Sequence, residues 1–352
     1  MLSHKRILIC PLNWGLGHAT RCIPIIRLLR KKNAEIIIAA DGRSLELLKQ
    51  EFPDLEFIRL QGYDINYPTG DSMILKMFFS IPKIVNGIYK EHQILKKIIK
   101  EKKIDIVISD NRFGLWNKKI KSIFITHQLM IKTLFAEKLL HRINLYFIKK
   151  YDECWVPDVE CASNLSGDLS HKYSLIKNTF FVGVLSRFEV VSFVTAYQYD
   201  IMAIISGPEP QRSIFENLII NQVQQTKLKA LIVCGKTEIE QRKKVIDNIE
   251  IISHLKADEM QEAILQSRII IARSGYSTIM DLAVLGKRVI FIPTPGQTEQ
   301  EYLAEILMQK NIAFCQKQSE FDLQKALKEV ENYKGFEIVE KTNLLEEIVG
   351  NL

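Results

Sequence analysis

The sequence predicts an α/β protein with two domains, each built on a doubly wound parallel sheet, and with the two sheets facing a central cleft. Three observations lead to this fold class. Short apolar runs of strand length alternate with helical patterns along most of the chain. The length of 352 residues is more than one ordinary hydrophobic core accommodates. The alternation breaks near residues 180–187 and then begins again.

The break defines the predicted domains. We place the first domain at residues 1–185 and the second at 186–336, with the change of pattern at 184–198. We expect the last segment, 337–352, to carry a helix over 337–350 that packs back on the first domain.

The first half shows strand-like apolar runs separated by amphipathic stretches. The predicted strands are 6–10, 35–40, 56–60, 104–109, 122–126 and 153–156. The predicted helices are 19–32, 43–51, a long basic stretch at 73–102, and a helical region at 131–149. Strands that read as continuous apolar runs are typical of a parallel sheet covered on both faces.

The second half repeats the pattern. The predicted strands are 201–205, 229–233, 249–252, 269–272 and 289–292. The predicted helices are 258–266, one that follows Ser274-Gly275, 299–310 and 320–331. In open parallel sheets, ligands bind beyond the carboxyl ends of the strands, which directs attention to the loops that follow them.

Charge is distributed unevenly. Residues 1–185 hold 29 Lys and Arg against 18 Asp and Glu, a net +11, whereas residues 186–352 hold 19 against 23, a net −4. Between 76 and 150 the count is 17 basic to 5 acidic residues. This half could face an anionic membrane, a phosphorylated acceptor or nucleic acid, or its lysines could simply solvate helices. No nucleic-acid-binding signature is present, so nucleic acid is the least favoured partner.

The cysteines and the amino terminus indicate a cytoplasmic protein. Six cysteines are scattered without Cys-x-x-Cys spacing, as reduced thiols would be. The first apolar run is too short for the core of a signal peptide, and no run reaches the roughly 20 apolar residues that span a bilayer. We expect a cytoplasmic location, with peripheral contact at the inner face of the membrane through residues 73–150 as an open alternative.

A glycine-rich loop follows the first strand. Gly15 and Gly17 would let the backbone approach a ligand closely, and Arg21 follows within the same motif. His18 would lie at a helix N-terminus, where the helix dipole lowers an imidazole pKa and keeps it neutral, as a general base requires. The alternative is a tight turn with a capping histidine.

Two positions near the start of the second half could face a phosphate. Ser206 and Gly207 follow the strand at 201–205, and they form either a phosphate-facing loop or a plain strand-to-helix turn. Arg187 lies at the change of pattern and could neutralise a diphosphate. Its alternative is a linker arginine bonded to backbone carbonyls.

The most informative segment is the strand, turn and helix over residues 269–281. Ser274 and Gly275 open a helix whose N-terminus suits an anion, and Asp281 is placed to accept both hydroxyls of a ribose. Beyond the next strand, Glu299 and Gln300 supply a carboxylate and an amide that can bond adjacent sugar hydroxyls. A sugar-nucleotide enzyme is the leading interpretation. Solvated helix faces are the alternative.

Two polar groups follow buried strands of the first half. Asp110 comes after 104–109 and His127 after 122–126, so both are candidates for contact with an acceptor, or for ordinary capping. No Asp-x-Asp is present, which disfavours a diphosphate bridged by a metal ion. We expect no metal and no cofactor beyond the nucleotide-sugar substrate.

These motifs resemble those of the family 28 glycosyltransferases, which have the GT-B fold of two Rossmann-like domains. Gly15 to His18 resembles the family's acceptor-side loop, and the stretch from Gly183 to Arg187 resembles its Gly-x-x-x-Arg link, whose arginine contacts donor phosphate. The resemblance extends to a donor loop, a Ser-Gly turn, an acidic ribose ligand and a pair that binds the donor sugar. The residues at these positions are Ser206-Gly207, Ser274-Gly275, Asp281 and Glu299-Gln300.

The resemblance implies an inverting, metal-independent transfer of a hexose or N-acetylhexosamine. The donor would be a nucleotide sugar, with UDP expected, and the acceptor a hydroxyl on a lipid-linked or cell-envelope glycan. His18 would accept the proton of that hydroxyl. Two other functions stay open: a UDP-sugar 2-epimerase of the same fold, and a non-catalytic module that binds polyanions.

Overall fold

The computed structural model describes residues 2–62, 73–132, 137–190, 196–236, 238, 240–339 and 342–352, with side chains of the helix that starts at residue 73 described from residue 83 onward. Contacts within the chain divide it into two compact units. One comprises Met1–Leu185 with Thr342–Leu352, and the other comprises Ser186–Lys341. Each unit is described by itself.

The first unit contains a parallel sheet. Within the described residues its seven strands are ordered β3-β2-β1-β4-β5-β6-β7, and every pairing is parallel. The strands are β1 Arg6–Pro11, β2 Glu35–Ala40, β3 Glu56–Arg59, β4 Ile106–Asp110, β5 Lys121–Ile125, β6 Glu153–Val156 and β7 Thr179–Phe181. The six predicted strands are confirmed, and β7 is an addition.

Helices connect these strands. They are α1 Leu16–Lys31, α2 Gly42–Glu51, α3 Met73–Lys102, α4 Glu137–Ile148 and α5 Asp168–His171. The long basic stretch at 73–102 is a helix, as predicted. The predicted helix at 131–149 is helical from Glu137, and its positions 133–136 lie outside the described residues.

The second unit also contains a sheet, ordered β10-β11-β9-β8-β12-β13-β14 over the part of the chain that the structure describes. All its pairings are parallel except that of β10 with β11. The strands are β8 Tyr199–Ile204, β9 Ala230–Val233, β10 Lys243–Ile246, β11 Ile249–Ile252, β12 Ser267–Ala272, β13 Val289–Phe291 and β14 Phe314–Cys315. The α/β class with two largely parallel sheets is confirmed, and β10 is its antiparallel exception.

The helices of the second unit cover its sheet. They are α6 Gln211–Val223, α7 Ala257–Leu265, α8 Tyr276–Val284, α9 Thr298–Gln309 and α10 Leu323–Glu329. Helix α6 was not predicted from the sequence. Its apolar positions do not form one clear stripe, although Phe215 and Ile219 are buried.

The chain ends in a short helix, α11 Leu344–Gly350, that belongs to the first unit. Lys31 of α1 forms an ion pair with Glu346 of α11 at 3.9 Å. The predicted helix over 337–350 is too long, because residues 337–339 are not helical and residues 340–341 lie outside the described part. Among the described helices, none is long and apolar enough to cross a bilayer.

Isoleucine-rich strands form the cores. In β1, Ile7, Leu8 and Ile9 are all 0% exposed, so both faces of the strand are covered. In β12, Ile269, Ile270 and Ile271 are buried in the same way. Consecutive buried positions leave polar groups only at the strand ends. The chemistry of each unit is therefore expected in the loops beyond β1, β4 and β5, and beyond β8, β12 and β13.

Candidate active site

The loop between β1 and α1 places His18. Gly15 has a φ of 111°, a backbone conformation that residues with a side chain rarely adopt, and α1 begins at the next residue. The amide of Leu12 donates to the carbonyl of Asp110 at 3.1 Å, which holds the loop against the end of β4. His18 therefore lies on the first turn of α1, beside the carboxyl ends of β1 and β4.

Four polar side chains meet at this point, and we call them the histidine cluster: His18, Arg21, Asp110 and His127. His18 Nδ1 lies 2.8 Å from Asp110 Oδ1. Arg21 bonds the same carboxylate twice, through Nε to Oδ2 at 2.5 Å and through Nη2 to Oδ1. Its Nη1 lies 3.0 Å from His127 Nδ1. One arginine thus joins both histidines to one carboxylate.

The cluster is buried except at His18. Asp110, Arg21 and His127 are 0%, 1% and 4% exposed, whereas the side chain of His18 is 14% exposed. Asp110 and His127 were predicted as candidates for contact with an acceptor or for capping, and Arg21 as part of the acceptor-side loop. Their burial does not favour direct contact of these three side chains with an acceptor. They support His18, and the loop glycines Gly15 and Gly17, both half-buried, are the other predicted members within reach of solvent.

Burial sets the electrostatics of the cluster. Burial lowers the pKa of His18, Arg21 lowers it further, and Asp110 opposes both. The imidazole is therefore neutral at neutral pH, and burial is the largest cause. Burial would raise the pKa of Asp110, yet Arg21 and His18 outweigh it and hold that pKa at about 2. Asp110 is ionised.

Other elements hold the cluster in place, and the sequence reasoning missed them. Ser170 of α5 donates to the carbonyl of His127 at 2.6 Å. Asn13 Oδ1 accepts from the hydroxyl of Ser44 at 3.4 Å, which ties the loop to α2. Trp14 is 42% exposed next to this loop. Hydroxyl and amide side chains are common near loops, so the sequence alone does not identify Ser170 and Asn13 as residues that hold the cluster.

The second unit brings three loops together at the carboxyl ends of adjacent strands, a region that we call the Ser-Gly edge. Ser206 and Gly207 follow β8, Ser274 and Gly275 follow β12, and residues 294–300 follow β13. Gly207 has a φ of 114°, and a Cβ there would lie 3.9 Å from Thr294 Oγ1. The sequence predicted these loops, and the sheet order places them next to each other.

Hydrogen bonds join the Ser-Gly turn to the start of α9. The Ser274 hydroxyl donates to the carbonyl of Gln300 at 2.8 Å, and Gln300 Oε1 accepts from the amide of Thr294 at 2.8 Å. Gln300 Nε2 donates to Gln297 Oε1 at 2.6 Å. Ser274 is 0% exposed, so its hydroxyl braces the turn and does not reach a phosphate. Gly275, half-buried at the positive end of α8, is the part of the turn that an anion can approach.

A buried arginine lies beneath this edge. Arg273 is 1% exposed and donates through Nη1 to the carbonyls of Ile292 and Pro293 at 2.9 and 3.0 Å. Its guanidinium lies 4.0 Å from the centre of the Phe215 ring. Within the described residues no carboxylate pairs with it, and its Nε has no hydrogen-bond partner. Burial lowers the pKa of Arg273 to about 9, which leaves it charged at neutral pH.

Asp281 and Arg187, predicted to bind ribose and phosphate, contact each other. Arg187 Nε donates to Asp281 Oδ2 at 3.3 Å, and the hydroxyl of Ser186 donates to Oδ1 at 2.7 Å. Burial raises the pKa of Asp281, and Arg187 opposes that rise. Both carboxylate oxygens are occupied within the chain, so neither predicted contact is preformed. Glu299 lies half-buried in the first turn of α9.

Residues 210–347 match the glycosyltransferase family 28 C-terminal domain. A relative in Sulfurihydrogenibium sp. (strain YO3AOP1), a UDP-N-acetylglucosamine--N-acetylmuramyl-(pentapeptide) pyrophosphoryl-undecaprenol N-acetylglucosamine transferase, is 22% identical over 88% of this chain and 84% of its own. An uncharacterized glycosyltransferase of Methanosarcina acetivorans is 24% identical over 86% of this chain and 81% of its own.

Solved structures share the fold at low identity. The glycosyltransferase SnogD from Streptomyces nogalater is 11% identical with a TM-score of 0.65, and the match covers 99% of this chain and 100% of SnogD. MurG of Acinetobacter baumannii is 11% identical with a TM-score of 0.55, and the match covers 99% of this chain and 98% of MurG.

The architecture and these matches define the class of the protein: it is a glycosyltransferase with the GT-B fold. More narrowly, its C-terminal part and its curated relatives, which are 22% and 23% identical, make it similar to the family 28 enzymes. Its general activity is therefore glycosyl transfer from a nucleotide sugar.

Proposed function

We propose that the protein is an inverting, metal-independent glycosyltransferase in which His18 is the general base. The observation that carries this proposal is the histidine cluster. An imidazole that is 14% exposed is fixed through Nδ1 by a buried, ionised carboxylate. Its Nε2 has no partner among the described residues, so that nitrogen is available to an acceptor hydroxyl.

The proposed reaction has one displacement step. The acceptor oxygen attacks the anomeric carbon of the donor sugar while its proton moves to His18 Nε2. The new carbon–oxygen bond forms as the bond from that carbon to the diphosphate oxygen breaks, and the electron pair leaves with the nucleoside diphosphate. Attack from the face opposite the leaving group inverts the anomeric centre.

The Ser-Gly edge supplies the positive charge that the leaving diphosphate needs. Gly275 offers the positive end of α8, and Arg273 places a buried cation beneath the same turn without a compensating carboxylate in the described part of the chain. In the proposal, donor binding separates Arg187 from Asp281, so that Arg187 bonds phosphate and Asp281 bonds ribose. Ser206, Gly207, Glu299 and Gln300 complete the donor-binding set. No metal and no cofactor enters this reaction.

The donor and acceptor classes rest on the relatives. The relative from Sulfurihydrogenibium is named for UDP-N-acetylglucosamine and for an undecaprenol-linked acceptor, which supports a UDP-sugar and a lipid-linked hydroxyl. A structural neighbour, the spinosyn rhamnosyltransferase SpnG, was solved with thymidine diphosphate, so the base of the donor must be tested and not assumed.

The outer faces of α3 and α4 support a peripheral membrane contact. Tyr89, Leu139 and Tyr146 are 63%, 55% and 61% exposed on these helices, within the region that has 17 basic and 5 acidic residues. Exposed apolar side chains in a lysine-rich region suit an anionic leaflet. We propose that the protein acts at the inner face of the cytoplasmic membrane, on an acceptor held there.

A binding screen and a transfer assay test the proposal. The protein is melted with UDP-, GDP- and dTDP-sugars, and a true donor raises the apparent melting temperature. Transfer is then followed with UDP-N-acetylglucosamine and an undecaprenol-linked muramyl-peptide acceptor, in wild type and in H18Q. We expect H18Q to keep donor binding and to lose turnover by roughly 10²–10⁴-fold.

A matched control and two outcomes make the test decisive. His4, exposed in the turn before β1, is replaced by Asn and should leave turnover unchanged. Wild-type turnover in H18Q would rule out the base. Conversion of a UDP-sugar without an acceptor would favour the epimerase, and salt-sensitive binding of polyanions without nucleotide affinity would favour a binding module.

A further inference from the structure

Arg21 makes an unusual contact in the histidine cluster. Its Nη2 lies 2.8 Å from His18 Nδ1, and the same Nη2 bonds Asp110 Oδ1, which itself lies 2.8 Å from His18 Nδ1. A guanidinium offers only donors and a carboxylate only acceptors. His18 Nδ1 therefore lies between a donor and an acceptor, and either tautomer satisfies one of the two.

The surroundings favour the tautomer with its proton on Nδ1. Arg21 already has acceptors for Nε and Nη2 on Asp110 and for Nη1 on His127. Arg21 therefore loses little hydrogen-bond energy if His18 Nδ1 does not accept a hydrogen bond from it. Asp110 is ionised, and a bare nitrogen lone pair facing a buried carboxylate oxygen would be repelled. With Nδ1 protonated, Nε2 carries the lone pair that a base needs.

The charges of Arg21 and Asp110 act on His18 in opposite directions. In an isolated histidine–carboxylate pair, the carboxylate orients the ring and also stabilises its protonated form. Here a guanidinium nitrogen and a carboxylate oxygen lie at the same distance, 2.8 Å, from Nδ1. We propose that Arg21 is a positioning residue that lets Asp110 orient His18 without making the imidazole hold a proton at neutral pH. This inference rests on the proposed role of His18 as the base.

Among the described residues, the charged and titratable groups with the largest effects on His18 come from three elements: Arg21 from α1, Asp110 from β4, and His127 from the loop after β5. Arg21 and His127 disfavour a positive imidazole, and Asp110 favours it. The His127 contact has a further consequence. Because Arg21 can only donate, His127 Nδ1 is the acceptor in this contact.

A nuclear magnetic resonance titration of the full-length protein labelled with ¹⁵N-histidine tests the inference without any substrate. The His18 signals are assigned by their loss in H18Q. We expect a neutral ring with its proton on Nδ1 at pH 7. In R21M, we expect the ratio of protonated to neutral His18 near pH 6 to rise roughly tenfold or more, because the remaining Asp110 charge is no longer offset. R21K, which keeps the charge, should stay closer to wild type.

The pH profile of turnover gives a second measurement. Activity requires neutral His18, so the acidic limb of kcat/KM should move to higher pH in R21M, with UDP-N-acetylglucosamine and the lipid-linked acceptor as substrates. The matched control is R112M. Arg112 is also fully buried and paired with a buried carboxylate, Glu91, at 2.8 Å, so its loss tests for general destabilisation and should not move this limb.

The outcomes separate this inference from the proposed function. A wild-type ring with its proton on Nε2, or a His18 titration unchanged in R21M, would overturn the role of Arg21. If R21M does not fold, the wild-type tautomer still decides, and an R21K titration that moved far from wild type would contradict the role of the Arg21 charge. If the titrations agree but H18Q keeps its turnover, the proposed base is wrong and the role of Arg21 in setting the state of His18 stands.

Discussion

The two regions of interest each contain a fully buried arginine, and they use it in opposite ways. Arg21 in the histidine cluster bonds both oxygens of Asp110, so its charge is cancelled. Arg273 beneath the Ser-Gly edge bonds backbone carbonyls, and no carboxylate in the described residues pairs with it. An arginine that is paired with a carboxylate holds the neighbouring side chains in place. An arginine without a paired carboxylate can attract an anion. Burial of an arginine therefore does not by itself indicate a phosphate site, and the presence or absence of a paired carboxylate decides.

The largest loss of stability and of turnover is expected from D110N. Arg21 would be left buried without its carboxylate, at a cost of roughly 3–5 kcal/mol in the free energy of unfolding. His18 would lose its orienting partner, so turnover should fall by roughly 10²–10⁴-fold while UDP binding is kept. Urea unfolding and calorimetric titration with UDP measure the two effects.

D281N is the counterpart of D110N in the second unit. Burial raises the pKa of Asp281, so its neutralisation should cost less stability than D110N. UDP affinity should fall because the proposed ribose contact is lost. If the two variants lost stability and nucleotide affinity alike, the distinction between the regions would fail.

The next effect is expected from R273M. Removal of the uncancelled cation should weaken UDP binding by about tenfold or more, an effect of about 1.4 kcal/mol. R21M removes a charge that is already cancelled, so it should leave UDP affinity near the wild-type value while it destabilises the fold. Calorimetric titration of both variants with UDP checks this. If R273M bound UDP as tightly as wild type, Arg273 would be excluded as a source of the positive electrostatic potential that attracts the donor.

Two glycine variants test backbone strain and anion binding at the Ser-Gly edge. G207A should destabilise the protein by about 1–3 kcal/mol, because its φ of 114° strains any residue with a side chain. G275A is the control for strain, since Gly275 has a φ of −72° and no atom within 4 Å of a new Cβ. We expect G275A to melt like wild type but to bind UDP more weakly, because its methyl group faces the anion site. Tight UDP binding by G275A would contradict that site.

A further effect concerns the stability of the protein in acid. The folded pKa of Asp110 is about 2, below the ordinary value of 3.8, so the unfolded chain binds the proton more readily. The stabilisation from Asp110, on the order of 2 kcal/mol, is complete above about pH 4 and is lost as the pH falls towards 2. Urea midpoints between pH 5 and 2.5 measure this loss. D110N should show a shallower decline, and an equal decline would contradict the assignment.

Much of the fold could be predicted, because parallel strands covered on both faces appear as runs such as Ile269-Ile270-Ile271. The alternation of such runs with helical patterns predicted most of the strands and the long helix α3. The errors fall where that signal is weak. Helix α6 lacks a clear apolar stripe, β7, β10 and β14 have two to four residues, and α11 begins later than its pattern suggested.

The sequence predicted which loops form the candidate site better than it predicted the contacts between their side chains. Position in the sequence identified His18, Asp110, Ser274 and Gly275, since each follows a buried strand. It could not show that Asp110 is wholly buried. Nor could it show that Ser274 bonds a carbonyl of α9, because that partner lies 26 residues away in the chain.

The sequence by itself determined which residues of each unit stand at the carboxyl ends of its strands, because the two-sided burial of parallel strands restricts polar side chains to their ends. Only the tertiary structure decided which of these side chains neutralise one another. Charge pairing depends on distances of about 3 Å between residues far apart in the chain, as Arg21 and Asp110 are, and the hydrophobic pattern carries no record of such distances.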